Sequence, residues 1–113
     1  MNVVTAKPRV QFTVIAPGGF RILAAIDDTC QKLGLDLVIT SACDGEHSGP
    51  NDPHHRGEAY DVRSHGFTEE DKDEILASLI DILGQDHFYA FLESPGTENE
   101  HFHIQVKKGT TFP

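Results

Sequence analysis

The sequence predicts an α+β fold in which two helices cover a mostly antiparallel sheet. Three observations carry that prediction. Two segments repeat apolar residues at helical spacing, and each ends at a glycine. Five shorter runs are rich in β-branched or aromatic residues and are bounded by turn formers. The elements follow one another as β, α, β, β, α, β, β, an order suited to helices packed on one side of a sheet. The 113 residues, 38% of them hydrophobic, fit a single domain spanning 1–113, large enough to bury a core without a disulfide framework.

The first strand is expected at "RVQFTVIA", Arg9 to Ala16, which is β-branched and is followed by the turn-forming "PGG". Leu23, Ile26, Cys30 and Leu33 then recur at helical spacing before Gly34, so a helix is expected from about Phe20 to Leu33. "DLVITSA", Asp36 to Ala42, reads as a buried strand. A polar loop rich in glycine and proline runs from Cys43 to about Glu58, and "AYDVRS" emerges from it as a strand. Thr68 is placed to cap a second helix whose first turn carries Glu69, Glu70 and Asp71, favourable at the positive end of a helix dipole. Ile75, Leu79 and Leu83 line one face of that helix, and Gly84 ends it. "HFYAFLE" and "HFHIQVKK" are expected as a final pair of strands around the turn "SPGTEN".

Composition excludes several functions. A formal net charge of -9, with nine scattered basic residues, argues against nucleic acid and anionic membranes, which are bound through clustered Lys and Arg. No segment is apolar for long enough to insert in a bilayer. The start, "MNVVTAKPRVQF", lacks a basic stretch followed by an apolar run, so the expectation is synthesis in the cytoplasm without a signal peptide. Cys30 and Cys43 are too few for a disulfide scaffold and are expected as reduced thiols.

The stretch "DPHHRGEAYDVRS" concentrates metal-ligating residue types. In an extended "AYDVRS", Ala59, Asp61 and Arg63 share one face. Gly57 lets the preceding loop fold closely enough for His54 to approach Asp61. His101 and His103 also share a face. His54, Asp61 and one histidine of "HFH" would supply the two nitrogens and one oxygen of an open Zn²⁺ site. Two glutamates compete as general base. If the last two strands pair as a hairpin, Glu93 lies opposite His101 and on the face of both histidines, whereas Glu100 points the other way in a regular strand. Glu100 is the alternative if the strand begins only at His101. His47 and His55 lie near enough to orient ligands, while His65 and His87 read as surface histidines.

The segments "HHRGEAYD" and "EHFHIQV", in that order, resemble the zinc D-Ala-D-Ala metallopeptidases, a group that includes small phage endolysins and carboxypeptidases and shares its fold with the hedgehog signalling domain. The similarity covers about Leu37 to Lys107. It implies a hedgehog/D,D-peptidase-like fold, with His54, Asp61 and His103 as zinc ligands and Glu93 as base. It further implies peptidase action on peptidoglycan stem or cross-link peptides, with His101 hydrogen-bonding the substrate. A phage-encoded member would reach the cell wall after release. The chain departs from the family pattern in two places. Asp52 replaces a serine, and Asp44 stands where many members carry the arginine that steadies the tetrahedral intermediate. Arg63 is the first candidate to replace that arginine and Arg56 the second. Asp44 and Glu46 are also a candidate calcium pair by resemblance to hedgehog-like proteins.

Overall fold

A computed structural model describes residues 2–44, 52–110 and 112. Glu46 and His47, singled out above, lie outside them. Seven elements are present: β1 (Val4–Ala6), α1 (Pro17–Leu33), β2 (Leu37–Ser41), β3 (Ala59–Arg63), α2 (Glu69–Leu83), β4 (Phe88–Glu93) and β5 (His101–Val106). They form one five-stranded sheet in the order β1-β2-β3-β5-β4. The sheet is mixed, since β1 runs parallel to β2 while every other pairing is antiparallel. Among the described residues, no helix is long and apolar enough to cross a membrane.

The first strand is not where its β-branched residues place it. β1 is Val4–Ala6, and Arg9 to Ala16 forms no strand. The reason lies in β2, whose two edges are already taken by β1 and β3. Arg9 adopts a left-handed φ of 76°, which turns the chain out of the sheet. The segment then makes scattered backbone bonds, among them Val10 N to Lys7 O, Cys43 N to Gln11 O and Ala16 N to Gly57 O. β propensity describes fitness for a half-buried pleated surface, and this segment does not pair onto one.

The expected "PGG" turn is instead the first turn of α1, with Pro17 at the helix start. Its glycines answer close packing. A Cβ on Gly19 would lie 2.1 Å from the carbonyl oxygen of Gly57, and one on Gly18 would lie 2.5 Å from a Val106 methyl. Gly34 closes α1 in a left-handed conformation, donating its N–H to Cys30 O. Thr68 caps α2 as expected, its hydroxyl accepting from Asp71 N at 3.1 Å.

Both helices pack on one face of the sheet. Ile22, Ile26 and Cys30 of α1 and Ile75 and Leu79 of α2 meet Leu37, Ile39, Tyr60, Val62, Phe102 and Ile104, all buried. A buried hydrogen bond, Thr29 Oγ1 to Ser78 Oγ at 2.8 Å, joins the helices. Strand alternation then sends every second residue to the opposite face. Pairing register aligns these residues in rows: Tyr89 with Gln105 and Ala59, Phe91 with His103 and Asp61, Glu93 with His101 and Arg63. Phe102 anchors the arrangement between the two histidines. Deleting such a buried ring typically costs about 3–5 kcal/mol, which would loosen the strand that carries both imidazoles.

Candidate metal centre

The face opposite the helices gathers five polar side chains. β3 supplies Asp61, β5 supplies His101 and His103, β4 supplies Glu93, and the loop before β3 supplies His54. Two features bring His54 in. Asp52 Oδ1 accepts from His54 N at 2.9 Å, and Gly57 N donates to His54 O at 3.1 Å, so the loop coils tightly ahead of β3. A short side-chain oxygen at position 52 meets that need, whether from Asp or from Ser. Gly57 has φ 71°, and a Cβ there would fall 2.2 Å from Val14 O, so the close passage requires glycine. The register of β2 also shifts between Ile39 and Ser41, a bulge that sets Ser41 opposite Asp61. The next carbonyl, Ala42 O, takes a hydrogen bond from His54 Nδ1 at 2.8 Å.

Asp61 Oδ1 is the hub. It lies 3.4 Å from His54 Nε2, 2.9 Å from His103 Nδ1 and 3.5 Å from His101 Nε2. Tetrahedral zinc, with bonds near 2.0–2.1 Å, separates its ligand atoms by roughly 3.4 Å. The His54–Asp61 separation matches that spacing, the His103–Asp61 contact is a hydrogen bond about 0.5 Å shorter, and among the described residues these three form one of two groups that could hold a metal ion. Glu93, His101 and His103 form the other. His101 Nε2 lies 3.3 Å from Glu93 Oε2. His54 is buried, whereas the Glu93 side chain is 41% exposed, so the cluster opens to solvent on the Glu93 side.

Hydrogen bonds on the far side of each ring fix which nitrogen faces the cluster. The carbonyls of Ala42 and Asn99 can only accept, so His54 Nδ1 and His101 Nδ1 carry protons, and each Nε2 points inward. His103 is turned the other way, with Nε2 donating to Gln105 Oε1 at 2.7 Å and Nδ1 facing Asp61. Outer partners of this kind orient metal-ligating histidines. Charges follow the same geometry. Burial raises the Asp61 pKa, but hydrogen bonds from His103 and His54 and the His54 and His101 charges outweigh it and hold the carboxyl well below the usual carboxylate range. Burial lowers the His103 pKa, yet its bonds to Asp61 and Gln105 leave it raised. Without a metal, both ring nitrogens of His103 therefore favour a proton.

Other residues singled out in the sequence lie elsewhere. Glu100 is buried behind the hairpin turn, where it accepts from Ser64 Oγ at 2.7 Å, Lys72 Nζ at 2.9 Å and Gly96 N at 3.2 Å. Its carboxyl sits low, at about 2, chiefly because of the Lys72 bond. Asp44 Oδ1 accepts from Ala42 N and Gln11 N, so this carboxylate ties down the end of β2. Arg63 shares Asp61's face and pairs with His101, and both border a hollow of 320 Å³. Arg56 pairs with Glu58 at 2.7 Å beside a second hollow, of 570 Å³, which Pro53 and Gln105 also line. His65 Nε2 contacts Glu98 O, and His87 packs edge-on against Phe112. Cys30 is buried and Cys43 half-buried, both as free thiols.

Gln105 and Phe91 were not among the residues singled out from sequence. Phe91 lies with its ring 5.2 Å from that of His103 and is exposed. The signal for Gln105 was present in "HFHIQV", because strand alternation puts residue 105 on the face of 101 and 103. No protein-family model, curated protein or solved structure matches this chain.

Proposed function

We propose that the protein is a zinc-dependent peptidase acting on peptidoglycan stem or cross-link peptides. The observation that carries the reading is the inward convergence of His54 Nε2, Asp61 Oδ1 and His103 Nδ1 at ligand spacing, with Glu93 beside them on the solvent side. Zinc bound here would be held by His54, Asp61 and His103 and would supply Lewis acidity and a water acidic near neutral pH. Glu93, beside these residues on the solvent side, is placed to take a proton and return it to the leaving amine. His101, with Nδ1 committed to Asn99 O, presents Nε2 to the substrate carbonyl region. Arg63 stands at the same end of the site and supplies positive charge as the carbonyl oxygen becomes negative. The two hollows, beside Gln105 and beside Arg63, give an extended peptide room on either side of the reacting bond.

A second reading is a catalytically silent zinc-binding module that recognises a peptide or partner. Asp44 favours it, since that carboxylate occupies the place of the family's stabilising arginine. Mass spectrometry of purified peptidoglycan digested with and without a chelator separates the two. Metal-dependent release of muropeptide fragments supports the peptidase and identifies the bond cut, D,D or L,D. Intact wall peptides in the presence of fully zinc-loaded protein favour the binding module.

A further inference from the structure

The cluster has more donors than one catalytic ion uses. With His54, Asp61 and His103 assigned to the first ion, Glu93 and His101 remain, paired directly across the β4–β5 ladder. Their donor atoms, His101 Nε2 and Glu93 Oε2, are 3.3 Å apart, close to the roughly 3.4 Å edge of a zinc coordination tetrahedron. Asp61 Oδ1 lies 3.5 Å from the same His101 nitrogen, so its carboxylate is within reach of both positions. The His101 proton is held on the far nitrogen by Asn99 O at 2.6 Å, which leaves Nε2 available as a ligand atom. Both side chains are reachable from solvent, at 23% and 41% exposure, whereas the first ion's ligands are nearly enclosed.

From this geometry we infer that Glu93 and His101 form a second, weaker divalent-cation site, completed by the Asp61 carboxylate, and that filling it switches the protein off by occupying the general base. The inference rests on the peptidase reading for its functional consequence, but its binding part stands on the side chains alone. The second site is the weaker for two reasons. It has two ligands of its own and must share the third, and a second dication enters the field of the first with only the Glu93 charge added to offset it. Soft or borderline metals with nitrogen and oxygen preference, zinc foremost, suit an imidazole and two carboxylates better than calcium or magnesium does. Excess free zinc is thus the chemical signal that the site reads.

Calorimetric titration of the metal-stripped protein with zinc tests this, with bound metal counted after dialysis at each plateau. Two steps are expected for the unaltered protein, the second at least tenfold weaker. Glu93→Gln and His101→Ala should each keep the tight step and lose the weak one, whereas His54→Ala should lose the tight one. His65→Ala with His87→Ala removes surface imidazoles that bind zinc adventitiously and should leave both steps in place. A single step in the unaltered protein overturns the inference, as does a weak step that survives Glu93→Gln and His101→Ala. Loss of wall-peptide turnover over the zinc range that fills the weak step supports the switch, and undiminished turnover with that step full refutes it. Protein that hydrolyses nothing yet shows both steps retains the second site while the peptidase reading fails, so the two are told apart.

Discussion

Replacing Gln105 by Met removes its bond to His103 and a long one from Nε2 to Val106 O at 3.5 Å, which makes it a sharp test of the metal centre. Gln105 Oε1 holds His103 Nε2 at 2.7 Å from the open face of the sheet, away from the core. That bond turns the ring so that Nδ1 faces Asp61, and it raises the basicity of the ligating nitrogen. Loss of such an outer partner typically costs 10–100-fold in metal affinity, or about 1.4–2.7 kcal/mol. The structure argues for the lower end. Gln105 borders a 570 Å³ hollow, so water can reach the freed N–H and replace part of what is lost. About a tenfold weakening of zinc binding is expected, with the melting temperature of the metal-free chain nearly unchanged. Gln105→Glu, which keeps an acceptor and adds charge, should bind zinc at least as tightly as the unaltered protein. Competition against a chromogenic chelator measures both. Unchanged affinity in Gln105→Met, or equal losses in both variants, would show that His103 Nδ1 is not a ligand.

Further outcomes follow from the same geometry. Glu93→Gln should keep its zinc and lose about 10²–10⁴-fold in kcat, while Glu100→Gln should lower the melting temperature with turnover largely kept; the opposite ranking would make the turn glutamate the base. Gly57→Ala forces a side chain into a left-handed φ against Val14 O, so urea melts should show a loss of about 2 kcal/mol or more, with weaker zinc binding because the same loop carries His54. In the metal-free chain, the raised pKa of His103 contributes stability that is full below about pH 6.5 and lost as pH rises through its folded value, while the depressed pKa of Asp61 contributes stability above about pH 3.9 that acid removes. Zinc must displace the His103 proton, so its affinity should climb with pH across that upper window, and a Kd flat from pH 5.5 to 8.5 would contradict the assignment. Arg63→Met should depress kcat with zinc content and KM nearly unchanged; if turnover is unaffected, His101 carries the developing charge instead.

Local chemistry made most of the elements legible. Thr68 before three acidic residues, Gly34 and Gly84 after apolar repeats, and the alternation in "AYDVRS" and "HFHIQV" each state a local preference that packing left in force. The same alternation made the open face readable, because a pairing of Glu93 with His101 fixes every other row of that hairpin. What the sequence concealed depends on competition between segments. "VTA" carries too few residues to announce β1, and the longer "RVQFTVIA" has the better propensity but is turned away from the sheet at Arg9. "PGG" reads as a turn by composition, yet its glycines answer to the approach of Gly57 and Val106, residues far away in the chain. The Ala42 carbonyl that orients His54 was equally hidden, since it depends on a bulge whose position no side-chain pattern marks.

Glu100 shows why a cluster of charges can be held together on one face of so small a domain. Glu93 and His101 sit at the two ends of the β4–β5 turn, the place where a hairpin frays most readily. If Glu93 is the proposed base, its position would matter to within about an ångström. Between them, on the opposite face, the Glu100 carboxylate binds Lys72 of α2, Ser64 after β3 and the Gly96 amide of the turn itself. One side chain thereby fastens the turn to the helix layer and to the neighbouring strand. Ser64 Oγ also lies 3.0 Å from Glu100 O, so its one proton is shared between the backbone and the side chain of Glu100. The fastening is electrostatic and lies outside the metal's reach, so the register of Glu93 and His101 does not depend on metal being bound. A site already in place would lose less entropy on taking up an ion, so these residues, which do not touch the candidate ligands, would favour tight binding at His54, Asp61 and His103.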